Sequence, residues 1–228
     1  MINIGSKPLM GLYHGADAVS KVYRGADVVW QRRRLPDEYQ QVEYLESTGE
    51  QWIDTGVIPD ELSGYRLKLS NGDVTRDFQL NGCRNDTYDT RYTIGTYLKY
   101  VYFGFGKTFA NGRIWTVSDN TPFSVSFNFF NSGLANVNGL NSYAFKGEYT
   151  LPVIWYNYLL FGISFGRGNI LASQKIFSFE MTYGDNLIRN MIPCYRKSDF
   201  KPGMYDIVSK QFFVNQGTGA DFIVGPEV

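Results

Sequence analysis

The residues able to do chemistry are few and dispersed. His14 is the only histidine, which rules out a multi-histidine metal centre. Retaining glycoside hydrolysis needs two carboxylates about 5–5.5 Å apart, and same-face residues at even spacing on one strand would supply them. Glu43 and Glu46 differ by three, so on one strand they face opposite sides, and Glu180 stands alone between Phe179 and Met181. The sequence has no Gly-x-Ser-x-Gly elbow, no phosphate loop and no Cys/His metal spacing. Gly104-Phe105-Gly106-Lys107 lacks a helix pattern after it and reads as a hairpin turn. What remains is recognition chemistry. The loop Arg84 to Arg91, RNDTYDTR, gathers Arg84, Asp86, Asp89 and Arg91 beside Tyr88 and Tyr92. With Trp115 it offers an aromatic face framed by polar groups, the combination that holds a sugar ring. Asp54 suits either a turn cap or a cation ligand.

Those residues need a scaffold, and the patterning describes a β one. The organising stretch is Gln174 to Lys197, two strands around Gly184-Asp185-Asn186. Alternation places Phe177, Phe179, Met181 and Tyr183 on one face, and Ile176, Ser178, Glu180 and Thr182 on the other. Leu187 to Cys194 returns, with Pro193 expected at a strand end or edge. So apolar a hairpin needs a second sheet to cover it. Further strands are expected at Tyr65–Leu69, Phe78–Cys83, Tyr92–Gly95, Lys99–Gly104, Ile114–Val117, Phe123–Phe130 and Leu134–Val137. Asn138-Gly139 is a type I′ hairpin signal. Tyr158–Ser164, apolar on both parities, reads as a strand covered on both faces. Short strands with turns every ~8–12 residues describe a sandwich or barrel.

The bulk numbers agree. The 228 residues carry 17 Tyr, 17 Phe and 24 Gly, a composition that favours strands and turns over helices. Lys plus Arg equals Asp plus Glu at 22 each, which argues against nucleic acid as the partner. Arg32–Arg34 then reads as a solvated linker. Cys83 and Cys194 are expected as free buried thiols rather than a disulfide. No signal h-region and no run of ~18 apolar residues is visible, so no membrane insertion is expected. Residues 1–34 hold a repeat with an offset of ten: Tyr13-His14-Gly15-Ala16-Asp17-Ala18-Val19 matches Tyr23-Arg24-Gly25-Ala26-Asp27-Val28-Val29. Strands are expected at Leu9–Tyr13, Ala18–Tyr23 and Val28–Arg32, forming a small sheet. So short an arm cannot bury a core of its own, and Tyr13, Tyr23 and Trp30 are its natural anchors. Leu35-Pro36-Asp37 marks the boundary with a main domain over 37–228.

Several separated motifs occur in order over about residues 37–228: EYLESTGEQWIDTG, NVNG at 136–139, KIFSFEM at 175–181, IPCYRK at 192–197, GMYDIVSKQFFVNQGTGADF at 203–222 and GPEV at 225–228. Together they resemble the laminin-G-like, concanavalin-A-like lectin jelly-roll domains of gut bacteria and their phages. The YxGADxV arm is similar to N-terminal segments of phage virion proteins. The resemblance implies an all-β, two-sheet antiparallel jelly-roll sandwich with a small N-terminal β arm. It implies a phage structural or adhesive protein of the tail, a fibre or the head surface, made in a host cytoplasm and carried on the virion. Residues 1–34 would attach to other virion proteins or to copies of itself, and the sandwich would meet glycans. Calcium at Asp86 and Asp89 is possible in this family, though no recognisable ligand pattern supports it, and no other cofactor is expected. Hydrolases on this fold resemble one another in an E-x-D-x-E run that this chain lacks, so no catalytic residue is expected. The alternatives are a bacterial cell-surface lectin and, less well supported, a glycoside hydrolase.

Overall fold

A computed structural model describes residues 3–4, 7–8, 12–14, 17–19, 21–24, 27–31, 35–75, 78–85, 90–106, 108–128, 134–144, 154–165 and 168–228. Every regular element among them is a β-strand. The chain divides into two compact units, Met1–Asp37 and Glu38–Val228.

The first unit is a series of hairpins, not the expected three-stranded sheet. Asn3–Ile4 pairs with Lys7–Pro8, Leu12–His14 with Asp17–Val19, and Lys21–Arg24 with Asp27–Gln31. Where one strand was expected over Ala18–Tyr23 there are two, Asp17–Val19 and Lys21–Arg24, in separate hairpins. Each copy of the repeat therefore spans one hairpin: Tyr13 lies opposite Ala18, Tyr23 opposite Val28, and Trp30 opposite Val22.

The second unit is a β-sandwich. Its large sheet runs, neighbour to neighbour, through Leu140–Ala144, Leu134–Val137, Phe123–Asn128, Ser63–Asn71, Ser173–Tyr183, Asn186–Arg196, Lys201–Asp206 and Gln211–Val214. Its small sheet runs through Thr108–Thr116, Tyr100–Gly106, Arg91–Tyr97, Phe78–Arg84, Gly162–Phe165 and Gly168–Leu171. Pairing is antiparallel except between Phe78–Arg84 and Gly162–Phe165. Asn138 and Gly139 both take positive φ, 51° and 82°, as a type I′ turn requires.

Aromatic rings fill the space between the sheets. Tyr65, Phe127 and Phe179 come from the large sheet; Tyr92, Phe103 and Phe105 come from the small one. Phe127 lies 5.7 Å from Tyr92 and 5.4 Å from Phe105, centroid to centroid. Tyr158 stacks on Phe179 at 5.7 Å. Each fully buried ring contributes roughly 1.5–3 kcal/mol of hydrophobic stabilisation. Polar bridges also join the sheets, among them a pair of buried amides. Asn81 of the small sheet donates from Nδ2 to Gln174 Oε1 of the large sheet at 3.1 Å. Gln174 Nε2 donates to the Leu80 carbonyl at 2.7 Å. Asn81 Oδ1 accepts the Phe161 N–H at 2.8 Å, fixing that residue at φ 67° and dividing the expected strand at 158–164 in two.

Two local features depart from simple alternation. The register slips between Lys68–Ser178 and Leu69–Ile176, so Phe177 is an extra residue in a β-bulge. Ile176, Phe179 and Met181 consequently enter the core, while Phe177 turns outward to meet Tyr44 edge-on at 5.4 Å. The face assignment of Ile176 and Phe177 from alternation is thereby reversed. Pro193 sits within Asn186–Arg196, not at its end. Its carbonyl accepts Val42 N–H, so its missing N–H falls on that same side, at the seam between Ser173–Tyr183 and Tyr39–Gln41. Finally, residues 42–46 and 223–227 are stitched together: Val224 pairs with Leu45, Glu43 N–H meets the Pro226 carbonyl, and Val42 bridges Glu227.

Candidate functional site

The loop singled out in the sequence closes the hairpin of Phe78–Arg84 and Arg91–Tyr97. Arg84 and Arg91 are directly opposite in the ladder, and Asn85 N–H donates to the Thr90 carbonyl at 2.9 Å. Both arginines are only 8% exposed. The Arg84 guanidinium lies 4.5 Å from the centre of the Phe165 ring. The Arg91 stem occupies room left by Gly104, where a Cβ would meet Arg91 Cδ at 2.7 Å and Thr93 Oγ1 at 2.5 Å. Their long side chains are therefore held by packing as well as by charge. Asp86 and Asp89 lie outside the described residues, and with them the calcium question.

Trp115 does not join this loop. It is 2% exposed and packs edge-on against Phe103 at 5.5 Å, inside the sandwich. Its expected role as a ligand platform is corrected by that burial. A different indole takes the place. Trp155 is 69% exposed, and its backbone N–H donates to Asn85 Oδ1 at 3.2 Å. The backbone on either side is pinned. Ile154 and Tyr158 are buried in the core, and Tyr158 N–H donates to the Val57 carbonyl. Asn157 donates to Asp54 Oδ2 at 3.0 Å and accepts from Ser164 Oγ at 2.6 Å. Asp54 Oδ1 accepts Gly56 N–H at 2.7 Å, which makes this residue a turn cap. Trp155 is thus a solvent-facing aromatic ring whose backbone is tied to Asn85. The signal for it was present: Trp155 lies between Pro152 and Asn157, ahead of the apolar run that carries the strands. Trp115 fits a strand pattern better, which is why the core claimed it.

Carboxylates elsewhere are engaged in structural contacts. Glu46 faces Lys175 at 3.6 Å. Glu180 faces Arg66 at 3.8 Å and accepts from Asn190 at 3.3 Å. Asp206 is fully buried and caps its own turn, accepting Asn190 N–H at 2.7 Å and Ser209 Oγ–H at 2.6 Å. Among the described residues, no group of three or more His, Cys, Asp or Glu side chains could hold a metal ion. Both cysteines are free and buried. Burial pushes the Cys83 thiol well up and the Cys194 thiol to about 12, so neither supplies a thiolate near neutral pH. The Tyr92 and Tyr158 phenols, also buried, are raised for the same reason. No family model matches the chain, and no curated protein matches it.

Proposed function

We propose that the chain is a structural and adhesive component of a phage particle, with a sandwich that binds glycan and an N-terminal arm, residues 1–34, that attaches it. The observation that carries the adhesive half is Trp155, a large ring held at 69% exposure by a backbone fixed on all sides. An exposed indole offers a large apolar ring for a partner to cover. Its faces suit the C–H faces of a sugar, and Asn85 Oδ1 holds the backbone that carries it. Binding rather than turnover is favoured because Glu46, Asp54, Glu180 and Asp206 serve caps and ion pairs and the thiols stay protonated. The resemblance to phage lectin-like proteins supports the setting. The arm supports the attachment, because two-stranded hairpins are marginal alone and their edges accept strands from another chain.

The test has two parts. Trp155→Ala is expected to keep the thermal midpoint within a few degrees and to abolish binding on a glycan array. Retained binding would remove the indole from the site. Deleting residues 1–34 is expected to prevent incorporation into purified particles while leaving the sandwich folded. Normal incorporation would show that the arm is not the anchor.

A further inference from the structure

The outer face of the large sheet is a separate surface, remote in register from the loop at Asn85, and its chemistry is distinct. A groove of about 290 Å³ runs across Leu134–Val137, Phe123–Asn128, Ser63–Asn71 and Ser173–Tyr183, at the lower edge of the roughly 300–1,000 Å³ of small-ligand sites. Alternation fixes what it presents. Leu67 and Val125 turn into the core, and Arg66, Lys68, Ser124, Ser126, Ser178 and Glu180 turn out. The ladder arranges these in rows. Ser126, Arg66 and Glu180 are cross-strand neighbours, as are Ser124, Lys68 and Ser178.

The two rows are electrically unlike. In the first, Glu180 answers Arg66 at 3.8 Å. In the second, Lys68 has a hydroxyl on each side and, among the described residues, no carboxylate partner. Its ammonium lies 5.3 Å from the centre of the Phe177 ring, the ring that the β-bulge turned outward. Bulges re-aim side chains beside functional sites. Here the bulge sets an aromatic wall next to a cation flanked by hydroxyls. Such a constellation fits a ligand with an anionic group for Lys68 and hydroxyls for Ser124 and Ser178, with Phe177 holding the ammonium beside the groove.

We propose that this groove binds the anionic unit of an acidic polysaccharide, a uronate or a sulfated sugar, with Lys68 as its charge partner. The chain's formal net charge is zero, so a polyanion is attracted by this local arrangement and not by the whole molecule. The inference does not depend on Trp155.

Binding of the full chain to oligogalacturonate, dextran sulfate and neutral dextran, by calorimetry at physiological salt, tests it. One or both anionic probes should bind, and neutral dextran should not. Lys68→Met keeps the stem and removes the charge; it should weaken binding about tenfold or more, the value of a lost charge-assisted contact. Lys210→Met, an exposed lysine on a turn elsewhere, should leave binding unchanged. Which probe binds separates carboxylate from sulfate. The proposal is overturned if neither anionic probe binds, if dextran binds as tightly, or if Lys68→Met matches the parent. Equal loss in Lys210→Met, or preference for a DNA oligonucleotide over both polysaccharides, overturns it as well.

Discussion

The two sheets of the sandwich solve the same problem under different constraints. The large sheet has one dry face and one wet face, and its central strands show it: Leu67 and Leu69 go in, Arg66 and Lys68 go out. The central strands of the small sheet are buried on both faces. Ile94, Phe103 and Phe105 join the aromatic core, while Thr93, Tyr102 and Ile163 on its other face are buried too. Where water covers one face, polarity dictates residue type. Where it covers neither, fit dictates it. That is why Gly82 and Gly104 flank Thr93 in the ladder: both neighbouring strands give up their side chains there.

This contrast can be broken at its glycines. Gly82 has φ 135°, and an added Cβ would strike the Tyr92 carbonyl oxygen. Gly82→Ala is expected to cost roughly 2–4 kcal/mol in denaturant unfolding, from backbone strain plus overpacking. Gly184, at the tip of the long hairpin of the large sheet, has φ 57° and open space around it. Gly184→Ala should cost about 1 kcal/mol, the left-handed penalty alone. Equal costs would deny that the small sheet is the tighter one.

A smaller effect sharpens how the sheets are joined. Gln174→Leu leaves Asn81 Nδ2 and the Leu80 carbonyl buried without their partner, and should cost about 2 kcal/mol. Because the two amides act as a unit, the double variant with Asn81→Leu should cost less than the sum of the singles. Additive losses would mean that the bridge is incidental. The smallest effect concerns the thiols. A disulfide-exchange reagent at pH 8 should modify neither Cys83 nor Cys194 until the chain unfolds. Both thiols are raised by burial, Cys194 to about 12 against an ordinary 9.0. The unfolded chain therefore ionises first, so their contribution is whole below pH 9 and is lost as pH climbs beyond it. Stability that rises above pH 9 would contradict this burial.

The same contrast explains what was legible in the sequence. Leu134–Val137, the inner part of Ser63–Asn71 and the Asn138-Gly139 turn could be read directly, because a wet face leaves period-2 polarity behind. The bulge at Phe177 could not, since Phe177 and Ile176 are both apolar and nothing in their types says which turns inward. The side of Trp115 was hidden for a similar reason: an aromatic residue type marks a ring, not its side. The loop Arg84–Arg91 was found because its polarity interrupts an apolar series, yet its partner from 154–157 lies some seventy residues away and shares no pattern with it. In the arm, the ten-residue repeat was plain, but one strand per repeat and one hairpin per repeat share the same period.

The stitching of residues 42–46 to residues 223–227 bears on how the protein is made. On a ribosome, Tyr39–Gln41 and Leu45–Thr48 emerge early, while Asn186–Arg196, Ser173–Tyr183 and Ile223–Val224, the strands that complete them, emerge late. The Gln51–Ala220 contact spans 169 residues and the Trp52–Asn215 contact spans 163. Pairings of such range are slow to form. The sandwich therefore cannot close while its second half is still being translated. During that interval the nascent strands stand open to any neighbour, and a chaperone or a sister chain on the same message would reach them before their own partners do.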